Sequence, residues 1–240
     1  MVKKKNALSN KKADFLAKVR KSKAAVSSPK SETLIKAIST ENPRLLFSMD
    51  ATASREPAWD IARELTGAMF EAIPGELDVA LAYHSASRLQ EVTPFTSKAS
   101  GIERKIQQVQ CRAGITCFNE VLDHAVNVTR LKALIYIGDC FEEEEEYAYF
   151  LAGQLKLKGV RTFIFHDTSS EYVYDTNSAG KVFQGIAKRT GGAVFPFDVN
   201  SPEVVKALLE AISIYAGRGI KALRASKLDS AQRLLAAMDE

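Results

Sequence analysis

Three short stretches of the chain carry side chains suited to holding a cation: Asp50-Ala51-Thr52-Ala53-Ser54, Gly114-Ile115-Thr116 and Gly138-Asp139. An extended backbone aims residues 50, 52 and 54 to one side, so a carboxylate and two hydroxyls point together. Thr116 adds a third hydroxyl and Asp139 a second carboxylate. Five hard oxygen donors suit magnesium or manganese, not zinc or copper. Two carboxylates roughly neutralise a dication, and neutral hydroxyls add coordination without surplus negative charge, which leaves one position for an incoming anion. D-x-[ST]-x-S is a weak motif alone, so its meaning depends on where the three stretches sit.

The surrounding pattern puts them at strand ends. Leu45 to Met49 is a short apolar run that ends at Asp50, and Ala58 to Ile73 follows with helical spacing. Pro74-Gly75 stops that helix, Leu77 to Tyr83 is a second strand, and Arg88 to Phe95 alternates like an edge strand, predicting a hairpin. Ile102 to Cys111 and Phe118 to Val128 read as helices. The buried strand Ala133 to Ile137 then delivers Gly138-Asp139, and the next helix begins among Glu142 to Glu146 and runs through Tyr147 to Leu157. A strand over Val160 to Phe165, a helix from about Ala179 to Gly191-Gly192 and a strand over Ala193 to Phe197 follow. The last core helix is expected over Val204 to Tyr215, broken by Gly217 and Gly219, with an amphipathic turn or two over Ala231 to Met238. Strands alternating with helices of this length predict an α/β fold with a mostly parallel sheet, one antiparallel edge strand and helices on both faces. Ligands of such sheets lie beyond the carboxyl ends of the strands, where the strand order reverses.

With its D-x-T-x-S stretch after a buried strand, a later Gly-preceded Thr116 and a strand-terminal Asp139, the chain resembles the von Willebrand factor A family over about residues 41 to 216. Asp50 matches the first Asp of that family's metal-ion-dependent adhesion site, Thr52 and Ser54 its two hydroxyls, Thr116 its Thr loop and Asp139 its last Asp. The resemblance implies a Rossmann-like fold, a bound Mg2+ (or Mn2+) and a protein partner whose Asp or Glu carboxylate completes the metal's shell. Thr52 stands where the family has Ser and keeps the hydroxyl. Cys140 stands where such domains often place Gly.

The expected organisation is a basic leader over residues 1–40, a domain over 41–216 and a C-terminal helical extension over 217–240. The formal charge of +4 is unevenly spread: residues 1–36 hold 11 of the 33 Lys/Arg and 2 of the 29 Asp/Glu, leaving 22 against 27 beyond. The leader is rich in Lys, Ala and Ser and too poor in large apolar residues to fold alone, although Ala13 to Val26 has the spacing for an amphipathic helix. Its cationic side chains suit nucleic-acid phosphates or an anionic membrane surface without sequence specificity. No apolar run is long enough to span a bilayer, no signal-peptide pattern occurs, and Cys111, Cys117 and Cys140 lack disulfide or zinc spacing, so the expected location is cytoplasmic.

Among competing chemistries, a magnesium phosphatase resembling the haloacid dehalogenase family also starts with an Asp at a strand end and finishes with Gly-Asp and acidic residues. Such enzymes have a second Asp two residues after the first as general acid, a place held here by Thr52, which protonates a leaving alkoxide poorly at neutral pH. The motifs G-x-x-x-x-G-K-[ST], G-x-G-x-x-G and G-x-S-x-G are absent. The expected activity is therefore binding and not catalysis. The glutamates at 142–146 are explained by the helix dipole, Cys117 and Cys140 by packing in preference to a redox switch, and Trp59 by the core. His124 and His166 receive no role.

Overall fold

The computed structural model describes residues 41–168, 176–198 and 200–239; the basic leader and its candidate helix at Ala13 to Val26 lie outside the described residues. Among the described residues are six strands and seven α-helices. The strands are β1 (Arg44–Asp50), β2 (Asp78–Ser85), β3 (Arg88–Val92), β4 (Leu131–Gly138), β5 (Arg161–Asp167) and β6 (Ala193–Phe197). The helices are α1 (Glu56–Ala72), α2 (Ala99–Ile106), α3 (Phe118–Asn127), α4 (Glu145–Leu157), α5 (Thr176–Thr190), α6 (Pro202–Ala225) and α7 (Asp229–Asp239).

The strands form one sheet in the order β3-β2-β1-β4-β5-β6, parallel throughout except for the β2–β3 hairpin at one edge. Ala86 and Ser87 close that hairpin with φ of 48° and 60°, the positive-φ turn that matches strand twist. The order reverses between β1 and β4: successive strands add outward from β1 to one side and from β4 to the other. A crevice therefore opens between the carboxyl ends of these two strands, which pair in register as Met49 with Ile137.

Period-two alternation divides β1 between two cores. Leu45, Phe47 and Met49 join the cluster under α1, α2 and α6, while Leu46 joins the one under α3, α4 and α5. Trp59, Leu65 and Met69 line the buried side of α1, the stripe that helical spacing predicts.

Three boundaries differ from the sequence reading, each for a physical reason. The helix expected to Cys111 ends at Ile106, because the chain must leave it for the Arg112 N–H to donate to the Ala51 carbonyl at 2.9 Å. The last core helix runs past Tyr215 and through Gly217, where a Cβ would run into Ile73 Cδ1, so this glycine serves close approach; Gly219 (φ 81°, ψ 176°) does break it, as expected, and a second helical segment of α6 follows to Ala225. Strand β5 runs past Phe165 to Asp167, two residues that matter below. Residues beyond Gly217 share the core, with Leu223, Ala231 and Leu234 buried in the same cluster as α1. No helix among the described residues is long and apolar enough to cross a membrane.

Candidate metal centre

The loop after β1 is tied down on three sides before any ligand is considered. The Ala51 N–H donates to the His84 carbonyl at 2.8 Å, the Ala51 carbonyl accepts from Arg112, and the Trp59 indole N–H donates to the Asp50 carbonyl at 2.8 Å. Fixing the backbone in this way orders the side chains that rise from it. The Thr52 N–H donates to Asp50 Oδ1 at 2.7 Å, Thr52 Oγ1 and Ser54 Oγ lie 3.3 Å apart, and the Ser54 hydroxyl donates to Asp139 Oδ2 at 3.1 Å. Four of the five predicted residues are thus linked across the crevice between β1 and β4, Thr52, Ser54 and Asp139 through their side-chain oxygens and Asp50 through the Thr52 backbone N–H.

Thr116 stands on the same cleft but is bonded differently. Its Oγ1 accepts from the Glu142 N–H at 3.0 Å, and its own N–H donates to Glu142 Oε2 at 3.1 Å. The cleft, about 350 Å³, is lined by Thr52, Ser54, Thr116, Asp139, Cys140 and Glu142 among others. Asp50 does not line it; the residue is fully buried beneath.

The donor set fits a hard cation. Asp50 Oδ2 is buried without a hydrogen-bond partner, a costly state for a carboxylate oxygen. Burial, and next the Asp139 charge, push the Asp50 carboxyl up to about 7, against the opposing pull of the Thr52 N–H and Arg55. Ionising Asp50 is therefore unfavourable in the protein alone, chiefly because its carboxylate is cut off from water. Among the described residues, no three His, Cys, Asp or Glu side chains are grouped to hold a metal ion, so a cation here has to use the hydroxyls as well, as magnesium and manganese do.

Four residues that the sequence reading does not assign also shape the site. Arg55, immediately after Ser54, is 1% exposed; its Nη1 lies 2.6 Å from Asp167 Oδ2 and 3.8 Å from Asp139 Oδ2. Burial opposes its charge, but Asp139 and Asp167 outweigh that and hold its pKa above the ordinary guanidinium range. His84 Nδ1 sits 3.7 Å from Asp50 Oδ1 and accepts the Cys117 N–H at 3.3 Å, which leaves Nε2–H to donate to the Tyr136 hydroxyl at 3.1 Å. Burial pushes this imidazole down to about 3, so it is neutral. Glu143 reaches out of its own helix start to cap α3, accepting from Phe118 N–H at 2.5 Å and Asn119 N–H at 3.0 Å, so the glutamate run does more than balance one helix dipole.

Cys117 is buried, and Cys111 and Cys140 are half-buried. Burial pushes Cys111, Cys117 and Cys140 each up to about 12. His166 places Nε2 3.2 Å from the Asp139 carbonyl and supports that loop.

No protein-family model matches the chain, and no curated protein matches it. Solved structures do. A von Willebrand factor type A protein from Catenulispora acidiphila superposes with TM-score 0.58 at 12% identity over 73% of this chain. The SpRpn10 VWA domain gives 0.53 at 11% over 69%, and the pilus adhesin SpaC of Lactobacillus rhamnosus GG gives 0.57 at 10% over 74%. The matched region spans 43% of the Catenulispora chain, 95% of the SpRpn10 domain and 31% of the adhesin. At these identities the likeness shows the fold: a Rossmann-like, mostly parallel six-stranded sheet of the von Willebrand factor A type.

Proposed function

We propose that this von Willebrand factor A-type fold is a metal-dependent protein-binding module, in which Asp50, Thr52, Ser54, Thr116 and Asp139 hold a magnesium or manganese ion. The ion supplies an open coordination position for an Asp or Glu carboxylate of a protein partner. One observation carries the reading: the orphaned Asp50 Oδ2 lies beneath a cleft whose wall is the Thr52–Ser54–Asp139 chain of oxygens.

The protein's own groups divide the work. Asp50 and Asp139 bring charge from adjacent strand ends; the Ser54 hydroxyl joins Asp139 to the Thr52 hydroxyl, and the Thr52 N–H holds Asp50. Thr116, held by its two bonds to Glu142, sets the far side of the cleft. No side chain in the cleft stands as a general acid two residues after Asp50, since Thr52 is bonded to Ser54 there, which favours binding over phosphoryl transfer. One structural neighbour is a pilus adhesin, in keeping with an adhesion or scaffold role. Contact of residues 1–36 with nucleic acid or an anionic membrane is a separate expectation from their charge.

The test is capture of partners from native lysate on the full chain, with magnesium or with chelator, wild type against Asp139→Ala. Partners lost both on chelation and in the variant support the proposal. Partners retained in both conditions refute it.

A further inference from the structure

We propose that Arg55, anchored by Asp167, sets the charge of the metal pocket and thereby selects divalent over trivalent cations. The inference rests on the metal-binding reading above and adds a residue and a selectivity to it. Arg55 directly follows the D-x-T-x-S stretch, yet its side chain turns inward, with Nη1 shared between Asp167 and Asp139 and its guanidinium carbon 5.9 Å from the centre of the Phe197 ring. It thus spans the carboxyl ends of β4, β5 and β6.

Carboxylates that ligate a metal, or neutralise its surroundings, are ionised when it is bound, so Asp50, Asp139 and Asp167 bring three negative charges. Arg55 remains protonated at any ordinary pH and brings one positive. His84 brings none, because its Nδ1 lone pair accepts the Cys117 N–H. Arg55 thus offsets part of the carboxylate charge, which weakens the pocket's pull most on the more highly charged cation. Glu142 stands at the exposed mouth of the cleft, where solvent screens it. Asp139, Asp167 and Arg55 are each nearly inaccessible to water, so their charges act on a cation with little screening.

Arg55 and Asp167 also have opposite signs, which separates a charge-setting role from a merely structural one. Removing the guanidinium makes the pocket more negative and favours a trivalent ion. Removing the Asp167 charge does the reverse. Loss of a structural brace weakens the site in both cases.

The experiment is a competition between Mg2+ and Tb3+ on the full chain, read by terbium emission sensitised through Trp59, the only tryptophan of the chain, whose indole is bonded to the Asp50 carbonyl. Arg55→Gln raises the Tb3+ to Mg2+ affinity ratio by about tenfold or more, and Asp167→Asn lowers it by a similar factor. Arg55→Lys, which keeps the charge and discards the planar fork, holds the wild-type ratio. The double variant Arg55→Gln/Asp167→Asn leaves no unpaired buried charge of this pair, so it keeps the test valid if a single variant folds poorly, and it too returns the wild-type ratio. Single variants that shift the ratio in the same direction, or a double variant that loses magnesium binding, overturn the inference. A wild-type protein that binds neither ion overturns the metal reading, and the inference falls with it.

Discussion

Trp59 donates its indole N–H to the backbone carbonyl of Asp50 across nine residues, and both side chains are buried. The helix that follows the acidic loop therefore grips the loop's first residue, so a change at the ligand end is felt by the indole. Magnesium addition is expected to shift the Trp59 emission with a saturable dependence on concentration. Trp59→Phe removes the signal and one buried hydrogen bond, with a loss of about 1–3 kcal/mol of stability measured by denaturant unfolding, because the Asp50 carbonyl is left unpaired.

Metal-free protein is expected to lose stability as pH rises. Burial raises both Asp50 and Glu143 to about 7, above the ordinary carboxyl range of the unfolded chain. A carboxyl raised on folding binds its proton more tightly in the native state, so its stabilising contribution is complete below the unfolded pKa and lost as pH climbs through about 7. Melting temperatures measured in chelator between about pH 5 and 8 should fall. Glu143→Gln, which keeps an acceptor for the α3 cap, should flatten part of that slope.

Gly138 leaves room for a neighbour on its own strand. A Cβ at this position would lie 2.6 Å from the Tyr136 hydroxyl, which has to pass there to reach His84 Nε2. Gly138→Ala should cost about 1–3 kcal/mol through overpacking, and Tyr136→Phe about 1–3 kcal/mol by leaving the buried imidazole N–H unpaired. Chemical denaturation of each variant, with far-UV circular dichroism as the readout, checks both values.

The three thiols should resist alkylation in the folded protein near pH 8, since the reactive species is the thiolate and burial holds each thiol up to about 12. Iodoacetamide labelling followed by mass spectrometry should modify them only after denaturation. Rapid native labelling of Cys140, which lines the cleft, would revive the redox alternative.

How much of this is legible in sequence follows from which forces act locally. The apolar β1 and β4 runs and the alternation at β3 signal their conformations locally; the strand order, whose reversal brings Asp50 and Asp139 to one crevice, is set by long-range pairing and is read only from the structure. The irregular chain from Gln107 to Cys117 reads partly as helix, because its shape is set by the distant bond from Arg112 to Ala51 and by no local preference. Arg55 and Asp167 carry no signal. One looks like an ordinary charge at a helix start, and the other follows the apolar run that marks β5, 112 residues downstream. His84 is equally silent, a lone histidine at the end of β2 whose role comes from Cys117, Tyr136 and Asp50.

Calorimetric titration of magnesium into the full chain addresses the central claim most directly. Saturable binding of a single ion is expected, abolished in both Asp50→Ala and Asp139→Ala while the far-UV spectra stay folded. Absence of binding to the wild type, or an isotherm unchanged in Asp50→Ala, would contradict it.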